Sequence, residues 1–211
     1  MAGNHEDSNV PRTPITGQNP GDVYVEVSHV GKIQIVDTND RSPILKIINS
    51  VSPDKYIVDS YGYLIQDSNK KNILFNWSQE FSNRIKEGIR SNKPLYLAID
   101  KNIPAYDFNN GILRYPEVKG GGGGITSYLR DSGLLFCYIN GENSPDKVKM
   151  KDGTEQYYTP KDILIHEIIG HAIPRMLEIN GNAVVNENIV RKEMKWKERA
   201  DEISHTCFDF F

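Results

Sequence analysis

Residues 159–181 read TPKDILIHEIIGHAIPRMLEING, and they contain two histidines and a glutamate in an otherwise apolar segment. Thr159 is a favourable N-cap residue, Pro160 suits the first helical position, and Asp162 lies near the acidic position of a capping box. Isoleucine and leucine occupy most of the following positions, which indicates a helix buried on nearly all sides. We expect the helix to end at Gly181, because glycine commonly follows the last helical turn.

The histidines of this segment, His166 and His171, are five positions apart, and Glu167 follows the first. In a regular α-helix a residue at i+5 points about 140° away from residue i, so the two rings would not share a metal ion. One extra residue absorbed as a π-bulge restores the alignment, and such bulges are frequent at functional sites. Pro174 favours this disruption because it cannot donate to the carbonyl of Gly170. The sequence therefore predicts a π-bulge at the histidine pair.

This pattern predicts a catalytic zinc site. Neutral His166 and His171 would bind Zn²⁺ together with a third protein ligand, which leaves one position for water. The metal would lower the pKa of that water, and Glu167 would act as the general base. The alternative is that both histidines are core residues and Glu167 is solvated. That alternative must account for a charged side chain in an apolar buried segment, which is costly unless the charge is paired.

The third ligand is expected on a second helix, from about residue 184 to 204. Glu187 is the first choice because it stands 16 residues after His171, a distance that a helix–turn–helix can span. Arg191 would face the same side as Glu187 and would orient that carboxylate, stabilise the oxyanion as a catalytic residue, or form a plain surface ion pair. The other candidate ligands of this segment are Glu193, Asp201, Glu202 and His205.

Two known motifs resemble this region. HEIIGH is similar to the HELLGH zinc motif of dipeptidyl peptidase III, which has the same extra residue. HEIIGHAIP, followed by GNAVVNENIVR at 181–191, resembles the NleD-like bacterial effector metallopeptidases and the related toxin domains of Rhs-type proteins, most of which carry the shorter H-E-x-x-H. NENIVR also looks like the segment with the third-ligand glutamate of thermolysin-like enzymes, here Glu187. The resemblance implies a zincin-type zinc endopeptidase.

The same resemblance implies a bacterial effector or toxin domain that acts on a protein or peptide substrate. Such a domain would reside in the bacterial cytoplasm before a specialised secretion system delivers it outside or into a host cell. The start MAGNHEDS lacks the features of a Sec signal peptide, and no apolar run approaches the ~20 residues that span a bilayer. The net charge of −3 does not indicate nucleic acid or a membrane as a partner. The oligomeric state is left open.

Composition and patterning predict an α+β chain with one substantial core. Of its 211 residues 38% are hydrophobic and 25% charged, which is ordinary for a globular domain. We expect a disordered or loosely attached lead at 1–21 and a single metallopeptidase domain at 22–211. Its first part, 22–75, is predicted to be a small antiparallel sheet with a hairpin at 23–37 and further strands at 44–49 and 55–66.

The catalytic part of that domain is expected at 76–211, where Ser78 would cap a helix that runs to about residue 91. Strands are predicted at 94–100 and 134–140, and the second is a candidate edge strand for an extended substrate. The five glycines at 120–124 lack the ending of a phosphate-binding loop and are interpreted as a flexible loop. This order matches a zincin-like fold, in which a mixed sheet precedes a metal-bearing helix pair.

Two other functions stay open. The same residues would serve a zinc hydrolase of another amide or an aminopeptidase, and a non-enzymatic binding or structural domain would carry an accidental H-E-x-x-x-H. Cys137 and Cys207 do not indicate a disulfide framework, which fits a reducing compartment. His5 and His29 are interpreted as surface residues.

Overall fold

The computed structural model describes residues 13–14, 24–25, 33–36, 40–99, 105–107, 112–114, 123–129, 133–179 and 181–200. The chain divides into two compact units, Met1–Val30 and Gly31–Phe211. In the first unit, β1 (Thr13–Pro14) pairs antiparallel with β2 (Tyr24–Val25). The division into a lead at 1–21 and a domain at 22–211 stays a prediction.

A four-stranded mixed sheet forms the centre of the second unit. Its order is β3 (Ile33–Ile35), β6 (Leu95–Ile99), β10 (Leu134–Ile139) and β9 (Gly124–Leu129). β3 and β10 run parallel to β6, whereas β9 is antiparallel to β10. The near-continuous apolar runs LYLAI and LLFCYI are typical of strands covered on both faces. The buried strands predicted at 94–100 and 134–140 are therefore confirmed.

The position of β10 corrects the prediction of an edge strand at 134–140. β10 has a neighbour on each side, β6 and β9, and its six residues are all buried. Within the described residues, β9 is the strand at that end of the sheet. An apolar run shows that a strand is buried, but it does not show which strand lies outermost.

Two predictions for the part at 22–75 are wrong. Ile33–Ile35 pairs with β6 on one side and Gln34 bridges to Tyr63 on the other, so β3 does not pair as the hairpin expected at 23–37 requires; most of the first strand of that hairpin lies outside the described residues. Residues 44–49 belong to α1 (Ser42–Val51) and not to a strand. The helix forms because Pro43 suits its first turn, while Ile44, Ile48 and Val51 share one buried face at helical spacing.

The other elements of this region agree with the sequence patterns. The strands predicted at 55–66 are present as β4 (Asp54–Val58) and β5 (Leu64–Lys71), which form a hairpin, and Gly62 turns the chain with a φ of 91°. α2 (Gln79–Arg90) begins at Ser78, whose hydroxyl accepts the N–H of Phe81, as predicted. None of the helices in the described part of the chain is both long and apolar enough to cross a bilayer.

Two short hairpins complete the strands. β7 (Ala105–Asp107) pairs with β8 (Ile112–Arg114), and β11 (Lys147–Lys149) pairs with β12 (Glu155–Tyr157). The second of these hairpins lies in the connection between β10 and the segment with the two histidines. Of the five glycines at 120–124, Gly123 and Gly124 are described, and Gly124 begins β9.

The segment that carries the histidines is one helix at 160–176, here called the histidine helix. It consists of α3 (Pro160–Ile165), a π-helical segment (His166–Ala172) and α4 (Ile173–Met176). Thr159 and Asp162 form the predicted capping box. The predicted end at Gly181 is wrong. The helix ends earlier because Glu178 adopts a φ of 57°, and Ile179 then donates to the carbonyl of Pro174.

The second helix, α5 (Ala183–Glu193), is shorter than the helix predicted for 184–204. Lys195 has a φ of 58°, and Trp196 donates to the carbonyl of Arg191 at 2.8 Å, which ends the helix. After this turn the backbone of residues 198–200 bonds to Lys149 and Lys151 beside the β11–β12 hairpin. The chain is thereby returned towards the histidine helix.

Candidate metal centre

His166 and His171 meet on the π-helical segment. Their Nε2 atoms are 3.2 Å apart, and the two rings are nearly perpendicular, at 85°. The predicted π-bulge is therefore confirmed, and the extra residue does not separate the rings. Two nitrogens bound to one tetrahedral zinc at 2.0–2.1 Å would lie about 3.3 Å apart. The spacing of this pair fits a single ion.

Gly170 allows α5 to pack directly on the π-helical segment. A Cβ at position 170 would lie 2.9 Å from Cβ of Ala183 and 3.1 Å from its carbonyl oxygen. Both distances are shorter than ordinary van der Waals contacts. The absence of a side chain at Gly170 therefore brings the first turn of α5 against the histidine helix, and the next turn of α5 carries Glu187.

Glu187 is fully buried and lies against His166. Its Oε2 is 2.8 Å from Nδ1 of His166, while Oε1 accepts hydrogen bonds from the Tyr158 hydroxyl at 2.7 Å and from Arg191 at 3.1 Å. Burial by itself would raise the pKa of Glu187. The hydrogen bond from His166, with Arg191 and Tyr158, overcomes that effect and lowers the pKa below its usual value.

This contact bears on the prediction of Glu187 as third ligand. Its carboxylate forms a hydrogen bond with Nδ1 of His166, whereas the two histidines approach each other through their Nε2 atoms. Over the residues for which the structure gives positions, no three His, Cys, Asp or Glu side chains form a group able to hold a metal. The geometry thus places Glu187 behind His166 and not beside an ion shared by the two rings.

The other candidate ligands divide into two groups. Glu193 accepts hydrogen bonds from the Ser78 hydroxyl at 2.5 Å and from the N–H of Glu80 at 3.0 Å, so its carboxylate caps α2. Asp201, Glu202 and His205 lie outside the described residues, as do His5, His29 and Cys207.

Arg191 is buried between two carboxylates. Its Nη1 donates to Asp162 at 2.9 Å and to Glu187 at 3.1 Å, and its Nε donates to the carbonyl of Lys197 at 2.5 Å. The surface ion pair considered for Arg191 is wrong, because only 2% of this residue is exposed. Its position supports the interpretation in which the guanidinium orients Glu187, and the catalytic role at the oxyanion stays a prediction.

Sequence reasoning missed Arg199, which also lies at this site. Its Nη1 is 3.4 Å from Nδ1 of His166 and 3.8 Å from Oε2 of Glu187. Asn188 holds the backbone of Arg199 in place, since its side chain accepts from the N–H at 2.7 Å and donates to the carbonyl at 2.8 Å. No periodic pattern marks an arginine that follows a helix end. The only local signal is Asn188, a buried amide next to Glu187.

Glu167 is buried on the side of the π-helical segment that faces the sheet. Its Oε2 accepts a hydrogen bond from Thr126 on β9 at 2.7 Å. Burial raises the pKa of Glu167, and the nearby His166 and Thr126 only partly offset this effect. The alternative of a solvated Glu167 is therefore wrong. Sequence reasoning also missed Thr126, because an alternating strand pattern does not reveal which helix the strand contacts.

Comparison with known proteins finds no similar protein. The chain matches no family model, no curated protein and no solved structure. The families that its motif resembles therefore stay an expectation, and the function is argued from the geometry of the site.

Proposed function

We propose that this protein is a zinc-dependent endopeptidase in which His166 and His171 are metal ligands and Glu167 is the general base. One observation carries the proposal: the two Nε2 atoms are 3.2 Å apart on a π-helical segment that also carries a buried carboxylate. A buried carboxylate with a raised pKa near His166 is costly to maintain, and such costs are concentrated at functional sites.

Glu187 prepares His166 for this role. Its carboxylate can only accept a hydrogen bond, so Nδ1 of His166 carries the proton and Nε2 presents its lone pair towards His171. Arg191 and Tyr158 hold Glu187 in turn, and Asp162 holds Arg191. This network supports a metal site because a carboxylate behind a ligand histidine fixes the ring and its tautomer.

A bound zinc ion would polarise the substrate carbonyl and lower the pKa of water. Glu167 would take the proton of the attacking water as the new C–O bond forms. It would deliver that proton to the amide nitrogen as the C–N bond breaks, so that amine and carboxylic acid are released. The buried position of Glu167 keeps its carboxyl basic enough to accept the proton.

The relation between β9 and the histidine helix favours a peptide over another amide. β9 lies at the end of the described sheet and contacts Glu167 through Thr126. An extended peptide that pairs with such a strand would lie alongside the histidine helix. We therefore assign the substrate-pairing role to β9, in place of the strand at 134–140.

The resemblance of HEIIGHAIP and residues 181–191 to bacterial effector metallopeptidases supports an effector or toxin role for this endopeptidase activity. A protein substrate follows from that role. Profiling the cleavage of a peptide library separates an endopeptidase, which cuts within peptides, from an aminopeptidase, which removes single N-terminal residues.

Metal content and peptide cleavage, measured on the same samples, test the proposal. We expect about one zinc per chain in the wild type and in Glu167→Ala, but cleavage only by the wild type. Glu155→Ala, which removes an exposed carboxylate from β12, is the matched control and should keep both properties. A hydrogen bond between the two rings would give a similar nitrogen separation. A metal-free wild type that does not cleave would thus favour the non-enzymatic domain.

A further inference from the structure

β9 contacts the histidine helix through two residues on the same face of the strand. Thr126 donates from its hydroxyl to Oε2 of Glu167 at 2.7 Å, and Gly124 lies beside the same side chain. Residues at i and i+2 of a strand point to one side, so both face the histidine helix. Glu167 is therefore held by Thr126, which lies 41 residues earlier in the sequence.

Gly124 is required by the space that Glu167 occupies. A Cβ at this position would lie 2.8 Å from Cγ and 3.0 Å from Oε1 of Glu167, and 2.6 Å from Cγ2 of Ile163. Its φ lies outside the left-handed region, so an alanine would be strained by these contacts and not by its backbone. The bare backbone of β9 thus forms one wall of the Glu167 site.

Cys137 lies opposite Thr126 on the neighbouring strand. It is the register partner of Thr126 on β10, and its thiol contacts the threonine hydroxyl. Burial raises the pKa of Cys137 well above its usual value, so the thiol keeps its proton and donates. The threonine hydroxyl has one proton, which goes to the carboxylate, and it accepts from the thiol. A chain from Cys137 through Thr126 ends at Oε2 of Glu167.

We infer that Thr126, seated between Cys137 and Glu167, is a positioning residue for the general base. The inference rests on the proposed function, in which Glu167 moves the proton. Thr126 binds Oε2 and fixes the carboxylate plane, which directs Oε1 as the oxygen that exchanges the proton. A residue that does not touch the scissile bond can still affect the rate strongly, because displacement of a reacting group by about 1 Å can lower the rate about a hundredfold.

Two conservative variants test the inference by kinetics. Thr126→Val removes the hydroxyl and keeps the β-branched shape, whereas Thr126→Ser keeps the hydroxyl. We expect Thr126→Val to lower kcat by about 10- to 100-fold with unchanged KM and zinc content, and Thr126→Ser to stay within about threefold of the wild type. Equal kcat values for Thr126→Val and the wild type would overturn the inference.

Crystal structures of the same three proteins give a readout that does not need activity. Glu167 should keep its position in the wild type and Thr126→Ser, and should adopt another rotamer in Thr126→Val. An unchanged Glu167 in Thr126→Val would also overturn the inference. If the wild type cleaves no peptide, the proposed function fails, yet the structures still show whether Thr126 holds Glu167.

Discussion

Oε2 of Glu187 lies 2.8 Å from Nδ1 of His166, although the two residues are on different helices and 21 positions apart. Both are buried, and the contact exists because Gly170 lets α5 rest against the π-helical segment. The hydrogen bond sets the tautomer of His166 and directs its second nitrogen towards His171. The structure thus connects a local irregularity of one helix to a charged network on the next.

The histidine pair is expected to be necessary for zinc. His166→Ala and His171→Ala should each lose the metal, because one imidazole cannot hold a catalytic zinc without the other. Zinc content by mass spectrometry after gel filtration measures this. His29→Ala removes a histidine predicted to lie at the surface and should bind zinc like the wild type. Full zinc content in both site variants would end the assignment of this metal centre.

Glu187→Ala distinguishes a carboxylate that binds the metal from one that orients His166. Because the Glu187 carboxylate bonds to Nδ1 of His166, we expect the zinc affinity of the variant to fall about 10- to 100-fold. One zinc per chain should still bind at saturating zinc. Glu187→Gln should be milder, since its amide oxygen still accepts from Nδ1. Competition with a chelator measures the affinities. A variant that cannot be loaded at any zinc concentration would restore Glu187 as a ligand.

Arg191 should matter more for stability than for the chemical step. Arg191→Met keeps the apolar stem but removes the guanidinium that bonds to the buried carboxylates of Asp162 and Glu187. Loss of one partner from such a buried pair costs about 3–5 kcal/mol, which urea unfolding would detect. The neighbouring Lys192 is exposed, and Lys192→Met should change stability by no more than about 0.5 kcal/mol. Equal stabilities of the two variants would contradict the role of Arg191.

Asp54 should make stability depend on pH. Burial would raise its pKa, but hydrogen bonds from Lys71, Lys86 and Ser82 overcome this and hold the pKa well below its usual value. A depressed folded-state pKa stabilises the protein fully above the unfolded pKa of about 3.9, and this contribution is lost as the pH falls towards the folded value.

Asp54→Asn tests this contribution. At pH 7 the variant should be less stable by about 2 kcal/mol, because a buried acceptor of charged hydrogen bonds is replaced by a neutral amide. The difference from the wild type should shrink as the pH is lowered below about 4, as measured by urea unfolding at several pH values. A difference that is constant from pH 7 to pH 2 would show that Asp54 is not the titrating group.

Gly170→Ala should destabilise the packing of α5 on the histidine helix. The new methyl group would approach Cβ of Ala183 at 2.9 Å, and overpacking of this kind costs about 1–3 kcal/mol. The double variant Gly170→Ala/Ala183→Gly should recover part of the loss, because it removes the closer of the two contacts. Thermal unfolding measures both. No recovery would show that the contact with Cβ of Ala183 is not the source of the strain.

The parts of the fold that the sequence predicts correctly depend on short-range signals. Thr159 and Asp162 form a capping box within one turn, and Pro174 with Gly170 marks the π-helical segment. The strand expected at 44–49 is a helix because four isoleucines or leucines in six residues suit a buried helix face as well as a buried strand. An apolar run alone does not separate the two periods.

The sequence by itself determined that the two histidines are five positions apart and that a π-helical segment accommodates the extra residue, since both depend on neighbours within two helical turns. Only the tertiary structure decided that Glu187 meets Nδ1, that Arg199 returns to the same ring, and that Thr126 holds Glu167. Those contacts join residues 21, 33 and 41 positions apart. Side-chain periodicity shows which face of an element is buried, but the partner of that face is set by how helices and sheet pack together.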